Sequence, residues 1–387
     1  NLCETLGAEP YLSGNVGSGT VQELSDWVQY VNHGQTSPMA DWRRENGREE
    51  PWNVKYWGVG NEAWGCGGNM TAEYYADVYR KYSTFMSSWS NDAKIVRIAS
   101  GASGDDYHWT EVLMKNVPYS LMEAVALHYY AVIDWGAKGS SKDYDESIYF
   151  RSMKAATKME ELVTKHVAIM DKYDPKKKID LVVDEWGGWY EVSEGTNPGF
   201  LYQQNTMRDA MIAGMNLNIF NNHADRVKMA NLAQAVNVLQ AVILTDKEKM
   251  ILTPTYHVMN MYKVHQDATL IPLSFDSPMY AYNKESLPAL TVSASKDAND
   301  KVHISFTNID TKNRPMLRYV IIFYCLLWMT TIQAQNLPTD TLLDTRDGRR
   351  YPIVQIENAW WMQANLQYET TNSYCPNFNK KASDCTD

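Results

Sequence analysis

Cysteine is scarce and scattered: Cys3, Cys66, Cys325, Cys375 and Cys385 offer neither a CxxC pair nor the spacing of a disulfide framework or zinc site. Only Cys375 and Cys385 stand close enough to suggest a disulfide, and Cys66 reads as a small packing residue rather than a reactive thiol. HExxH is absent and the eight histidines lack ligand spacing, so no metal or other cofactor is expected. GxGxxG and P-loop motifs are missing too, which removes the usual signals for nucleotide binding. Positive charge is short. The net charge of −10 disfavours nucleic acid and anionic membranes as partners and leaves a neutral polysaccharide open. Phenylalanine, at 8, is outnumbered by 13 tryptophans and 25 tyrosines, rings that serve polar flat-faced ligands and packed cores alike.

What is present is an ordinary globular composition, 44% hydrophobic over 387 residues, long enough for one large or two medium domains. Strand and helix patterns alternate along it. Ala8 to Asn15 reads as a strand, Thr20 to Val31 as a helix, and His33 to Pro51 as an exposed charged loop. A strand beginning at Lys55 runs into a glycine-rich turn, and Thr71 is placed to cap the next helix. Further strands are expected at Lys94 to Ile98, Ala124 to Tyr130, Lys178 to Asp184 and Val238 to Leu244. Helices are expected at Trp109 to Val117, Ile148 to Tyr173, Tyr202 to Ile219 and Thr255 to Val264.

Six strand-helix units without hairpins imply a parallel sheet. They predict an α/β fold, a (β/α)8 TIM barrel that lacks its first two β/α units, over residues 1–267. From 268 to 315 the period shortens into about four antiparallel strands, a partial β-sandwich. Met316 opens a stretch with Arg318, an apolar core from Tyr319 to Met329 and a small-residue exit at Ala334. That core is short of the roughly 20 residues a spanning helix needs. Residues 316–335 therefore read as a secretory signal peptide in mid-chain, with a membrane anchor at 319–334 or a buried strand as alternatives. This break, with an opening that lacks an initiator Met, suggests a fragment fused to a second reading frame. The compartment stays open between cytoplasmic and secreted.

Two acids stand at strand ends, where barrel active sites lie. Glu62, in WGVGNEAWGCGGNM, and Glu185, in LVVDEWGGWY, are three β/α units apart, which sets them facing each other across the barrel mouth. Each alone reads as a surface carboxylate. As a pair framed by Trp and Gly they suit glycoside hydrolysis, where one acid protonates the leaving oxygen and the second attacks the sugar. Asn61, an amide beside one acid, has few structural reasons to be there. His128 is either a hydrogen-bonded core residue or part of the pocket.

These two motifs, with ALHYY and FNNHADRVKMANLAQAVNVLQAVILTDKEKMILTPTYHVMNMY, resemble the α-L-arabinofuranosidases of glycoside hydrolase family 51 from Asn1 to about Ile309. The resemblance implies retaining release of terminal α-L-arabinofuranosyl residues from arabinan or arabinoxylan. It implies Glu62 as general acid/base, Glu185 as nucleophile and Asn61 on the sugar 2-hydroxyl. It further implies Tyr130 as a hydrogen-bond partner of the nucleophile and His128, Trp189 and Gln240 around the sugar. Ala63 stands where the family often has a polar residue, and Gly188 where threonine is more usual. An endo-acting β-glucanase or xylanase of the same clan is the alternative enzyme, and a silent carbohydrate-binding or surface protein the alternative class. A homo-oligomer is compatible with all three. Residues 336–387 contain DTRDGRRYPIVQIENAWWMQANLQYET and resemble the start of the Fibrobacter succinogenes major paralogous domain, a small secreted module.

Overall fold

A computed structural model describes residues 1–89 and 94–313 in full, and the backbone of 339–343, 350–356 and 359–362. The signal-peptide-like stretch 316–335 and the Cys375 and Cys385 pair lie outside the described residues. The chain divides into two compact units, Asn1–Ile322 and Phe323–Asp387.

The first unit is built on a curled parallel sheet. Its elements run α1 (Leu2–Leu6), β1 (Tyr11–Gly14), α2 (Val21–Asn32), α3 (Pro38–Glu45), β2 (Tyr56–Val59), α4 (Ala72–Phe85), β3 (Val96–Ser103), α5 (Tyr107–Asn116), β4 (Ala124–Ala131), α6 (Glu146–Tyr173), β5 (Asp180–Gly188), α7 (Met207–Asn222) and β6 (Val227–Leu232). The six strands pair in chain order, all parallel, with helices at every crossover. This is the expected barrel architecture, a half-barrel with β1 and β6 at its two edges among the described residues.

Strand side chains alternate between two layers. Trp57, Val59, Ala99, Val125, Leu127, Leu181 and Val183 pack outward on the helices, against Tyr75, Tyr79, Leu113, Leu162 and Val163. Ile98, Ala124, Ala126 and Val182 form the inner layer with Tyr11 and Tyr56. A strand covered on both faces must be apolar throughout, which is why AVALHYYA is almost continuously buried. Helix starts follow their caps: Thr71 accepts from Tyr74 N, and Thr20 and Thr206 form capping boxes with Glu23 and Asp209.

Two expectations need correction. The stretch His33 to Pro51 is not simply an exposed loop: α3 forms there behind the Ser37 cap, with Pro38 in its first turn. Its charge misled because Arg43 is fully buried, its guanidinium donating to the carbonyls of Tyr30, His33 and Glu49. The sixth barrel strand is β6, not Val238 to Leu244. An edge strand is only partly covered, so VKMANL carries a weaker apolar signal than the run that follows it. That later run feeds a hairpin instead, β7 (Ile243–Asp246) with β8 (Lys249–Leu252), turned at Lys247 with φ 54°.

Helix α8 (Pro254–Tyr262) leads into antiparallel strands β9 (Thr269–Leu270), β10 (Met279–Tyr282), β11 (Glu285–Pro288), β12 (Leu290–Lys296) and β13 (Val302–Asn308). They form a three-stranded sheet in the order β13-β12-β9 and a β10-β11 hairpin. The β12 strand lies along α7, where Asn218 and Asn221 donate to Thr291 Oγ1 and Ser293 Oγ and Asn222 donates to the Val292 carbonyl. Phe150, Met153, Ile212, Met215, Tyr280 and Ile309 fill the seam. In the second unit, β14 (Thr339–Leu343), β15 (Arg350–Ile356) and β16 (Ala359–Met362) form a three-stranded antiparallel sheet.

Candidate active site

The β2 strand ends at Val59, and the backbone then turns sharply through Gly60 (φ 91°) and Glu62 (φ 45°). A left-handed conformation at a non-glycine residue is strained and needs support from its surroundings. Here the Gly65 and Gly67 amides both donate to the Glu62 carbonyl, Ala63 N donates to Ser100 Oγ, and the Trp64 indole donates to the Gly101 carbonyl. The turn is so tight that a Cβ on Gly67 would lie 1.8 Å from the Asn61 carbonyl oxygen. Glu62 is thus held at the carboxyl end of β2, with Asn61 exposed beside it.

The opposing acid comes from β5, which extends through Gly188, past the Asp184 end read from sequence. Its register against β4 shifts by one residue: Ala126 pairs with Val182, but His128 pairs with Glu185. Strict alternation would send Asp184 and Glu185 to opposite faces. The bulge brings both carboxylates to the same imidazole. Asp184 Oδ1 lies 3.1 Å from His128 Nε2, and Glu185 Oε2 lies 3.2 Å from His128 Nδ1. Glu62 Oε1 faces that same Nδ1 at 3.0 Å.

His128 thus sits among three carboxylates. Ionised carboxylates only accept hydrogen bonds, so the ring satisfies both sides as an imidazolium. Burial alone would lower its pKa, but the hydrogen bonds to Asp184 and Glu62 and the charge of Glu185 raise it to about 10. The hydrogen bond from His128 in turn holds the Glu62 carboxyl below its usual range. Side-chain exposure separates the roles: Glu62 and Glu185 keep 21% and 25%, whereas His128 and Asp184 keep 7% and 9%. The two acids face the opening and the clamp lies behind them. Carboxylate oxygens of Glu62 and Glu185 come within 4.8 Å of each other.

Tyr130 Oη donates to Glu185 Oε1 at 2.5 Å. Burial and the Glu185 charge raise its pKa far above the ordinary phenol range, so it remains a donor. Trp189 stands edge-on to Tyr130 (centroids 4.9 Å apart) and to Trp135 (5.5 Å), and Trp135 is exposed. Gln240 is placed elsewhere. It is fully buried, with Oε1 accepting from Gly188 N and Nε2 donating to the Asp209 carbonyl and Thr255 Oγ1, so it supports the end of β5 from behind. Gly188 suits this packing, since a Cβ there would meet Tyr190 Oη at 2.6 Å.

Sequence reasoning missed Asp184, Tyr11 and Trp135. Tyr11 on β1 donates to Asp184 Oδ2 at 2.9 Å and braces the clamp from a strand 173 positions away. Cys66 is also corrected: it is exposed, not packed, and its thiol donates to Glu62 Oε2 at 3.4 Å.

Comparison with known proteins gives the chain's relatives. Residues 1–148 match the family model described as Alpha-L-arabinofuranosidase 1 domain, and residues 184–342 match the Alpha-L-arabinofuranosidase C-terminal domain. The chain is 51% identical over 312 residues to an intracellular exo-alpha-L-arabinofuranosidase of Bacteroides ovatus, covering 80% of this chain and 60% of the relative. The crystal structure of the GH51 arabinofuranosidase from Xanthomonas axonopodis pv. citri superposes with a TM-score of 0.78 at 51% identity, covering 80% of this chain and 63% of that one. The alpha-L-arabinofuranosidase of Thermotoga maritima, solved as an arabinose complex, matches at 28% identity with a TM-score of 0.65, covering 79% of this chain and 62% of that one. The chain therefore spans less than two thirds of the length of each of these relatives. With two α-L-arabinofuranosidase models matched along the chain and a relative and a solved GH51 structure each 51% identical over 80% of it, the chain belongs to the α-L-arabinofuranosidases of glycoside hydrolase family 51.

Proposed function

We propose that the chain is a retaining glycoside hydrolase that releases terminal non-reducing α-L-arabinofuranosyl residues from arabinan or arabinoxylan. The observation that carries this reading is the approach of the Glu62 and Glu185 carboxylates to within 4.8 Å. Direct attack on the sugar suits carboxyl groups about 5–5.5 Å apart, whereas placing a water between them takes about 6.5–9.5 Å.

In the first step a Glu185 oxygen bonds to the anomeric carbon while the glycosidic bond breaks and its oxygen takes a proton from Glu62. In the second step Glu62 accepts a proton from water, the water oxygen bonds to the anomeric carbon, and Glu185 leaves as carboxylate. Glu62 must carry a proton at the outset. Solvent supplies it at Oε2, while Oε1 goes on accepting from His128 Nδ1 at 3.0 Å. Tyr130 holds the Glu185 carboxylate and keeps one oxygen oriented for attack. Asn61 takes the sugar 2-hydroxyl at the rim, and Trp189 with Trp135 forms an aromatic wall for the ring or its neighbour.

Residues 1–267 serve as the catalytic domain and 268–315 as its β-sandwich partner. The intracellular naming of the Bacteroides ovatus relative supports action inside the cell. Among the described residues no helix is long and apolar enough to cross a membrane. The test is p-nitrophenol release from p-nitrophenyl α-L-arabinofuranoside. Release is expected from the intact chain and is expected to fall to background in Glu185→Ala. Unchanged turnover in that variant overturns the nucleophile assignment.

A further inference from the structure

We propose that Glu62, His128 and Glu185 together bind one zinc-class divalent cation in the sugar-free chain, and that this ion and the sugar exclude one another. The ligands are separated along the chain, so ligand spacing gives no sign of them, yet the strand ends assemble them. Ligand atoms of Glu62, His128 and Glu185 all lie within 4.8 Å of one another. An ion bonded to nitrogen and oxygen at about 2.0–2.2 Å spans neighbouring ligands roughly 3.0–3.5 Å apart. Two of the three edges already have that length: 3.0 Å from His128 Nδ1 to Glu62 Oε1 and 3.2 Å to Glu185 Oε2. Water from the open side, where both acids are part-exposed, completes the coordination.

A second observation points the same way. Metal-ligating histidines almost always lean on a carboxylate through their other nitrogen. His128 Nε2 has Asp184 Oδ1 at 3.1 Å, and among the described residues that buried oxygen has no other partner, while Tyr11 fixes Asp184 Oδ2. One imidazole nitrogen and two carboxylates suit zinc over magnesium or calcium, which take oxygen ligands in larger number. On binding, the Nδ1 proton passes to solvent, and metal bonds replace the hydrogen bonds from His128 to the acids.

The binding clause stands on this chain's own residues; the exclusion clause rests on the sugar pocket proposed above. Equilibrium dialysis of the whole chain against zinc chloride, with magnesium chloride in parallel and with and without saturating L-arabinose, separates the two. One zinc per chain is expected to be retained, displaced by arabinose, with no magnesium retained. Glu185→Gln is expected to weaken zinc binding about tenfold or more and His128→Gln further still. Because Glu185 is part-exposed at the opening, its variant decides the matter even if His128→Gln fails to fold. Absence of zinc from the wild-type chain, or equal retention by wild type and Glu185→Gln, overturns the site. Zinc lost in the variants but undisturbed by arabinose overturns the exclusion and leaves the metal site standing.

Discussion

His128 Nδ1 lies 3.0 Å from Glu62 Oε1, so the ring that braces one acid from behind also sets its charge. The imidazolium's folded pKa of about 10 exceeds its ordinary 6.5. A raised histidine pKa contributes stability that is complete below about pH 6.5 and is lost as pH climbs through about 10. The lowered Glu62 pKa works in the opposite sense, contributing above about 4.5 and losing its effect as pH falls through the depressed value. The stability difference between wild type and His128→Gln should therefore be greatest near pH 5–6.5 and shrink steadily toward pH 10. Urea midpoints across that range measure it; a difference that grows with pH contradicts the imidazolium.

Tyr130→Phe removes one hydroxyl from the 2.5 Å contact with Glu185 and leaves the ring against Trp189. A hydrogen bond to a charged group is worth about 1.5–3 kcal/mol. The expected loss in kcat/KM on the aryl arabinofuranoside is therefore about 10- to 150-fold, borne mainly by kcat. A variant within twofold of wild type would remove Tyr130 from the machinery.

Gly67→Ala tests the turn rather than the chemistry. The new methyl would sit 1.8 Å from the Asn61 carbonyl oxygen, and the obstacle is backbone, so the loop bearing Glu62 must shift. A destabilisation of about 1–3 kcal/mol in denaturant is expected. Activity should fall together with it, because the displaced segment carries the acid.

The sequence made some of this legible and hid the rest for identifiable reasons. Glu62 and Glu185 stand out because an acid framed by glycine and tryptophan at a strand end has little packing purpose. The start of α4 followed the Thr71 cap, whose side-chain bond is local. Asp184 stayed hidden because the bulge that turns it toward His128 exists only in the register between two strands. Tyr11 was hidden by distance along the chain, and α3 by a buried arginine whose partners are carbonyls. Gln240 looked like a sugar ligand through family likeness alone. Its three buried hydrogen bonds place it behind β5 instead.

The most direct test of the acid pair is covalent trapping. A 2-fluoro α-L-arabinofuranosyl fluoride carries a good leaving group and an electron-withdrawing substituent that slows breakdown of the glycosyl ester, so the intermediate should accumulate on the nucleophile. Peptide mass spectrometry is expected to find one fluoroarabinosyl adduct, on the peptide containing Glu185 and at that side chain. Labelling at Glu62 or Asp184 with Glu185 unmodified, or continued hydrolysis with no adduct on Glu185, would contradict its assignment as the nucleophile.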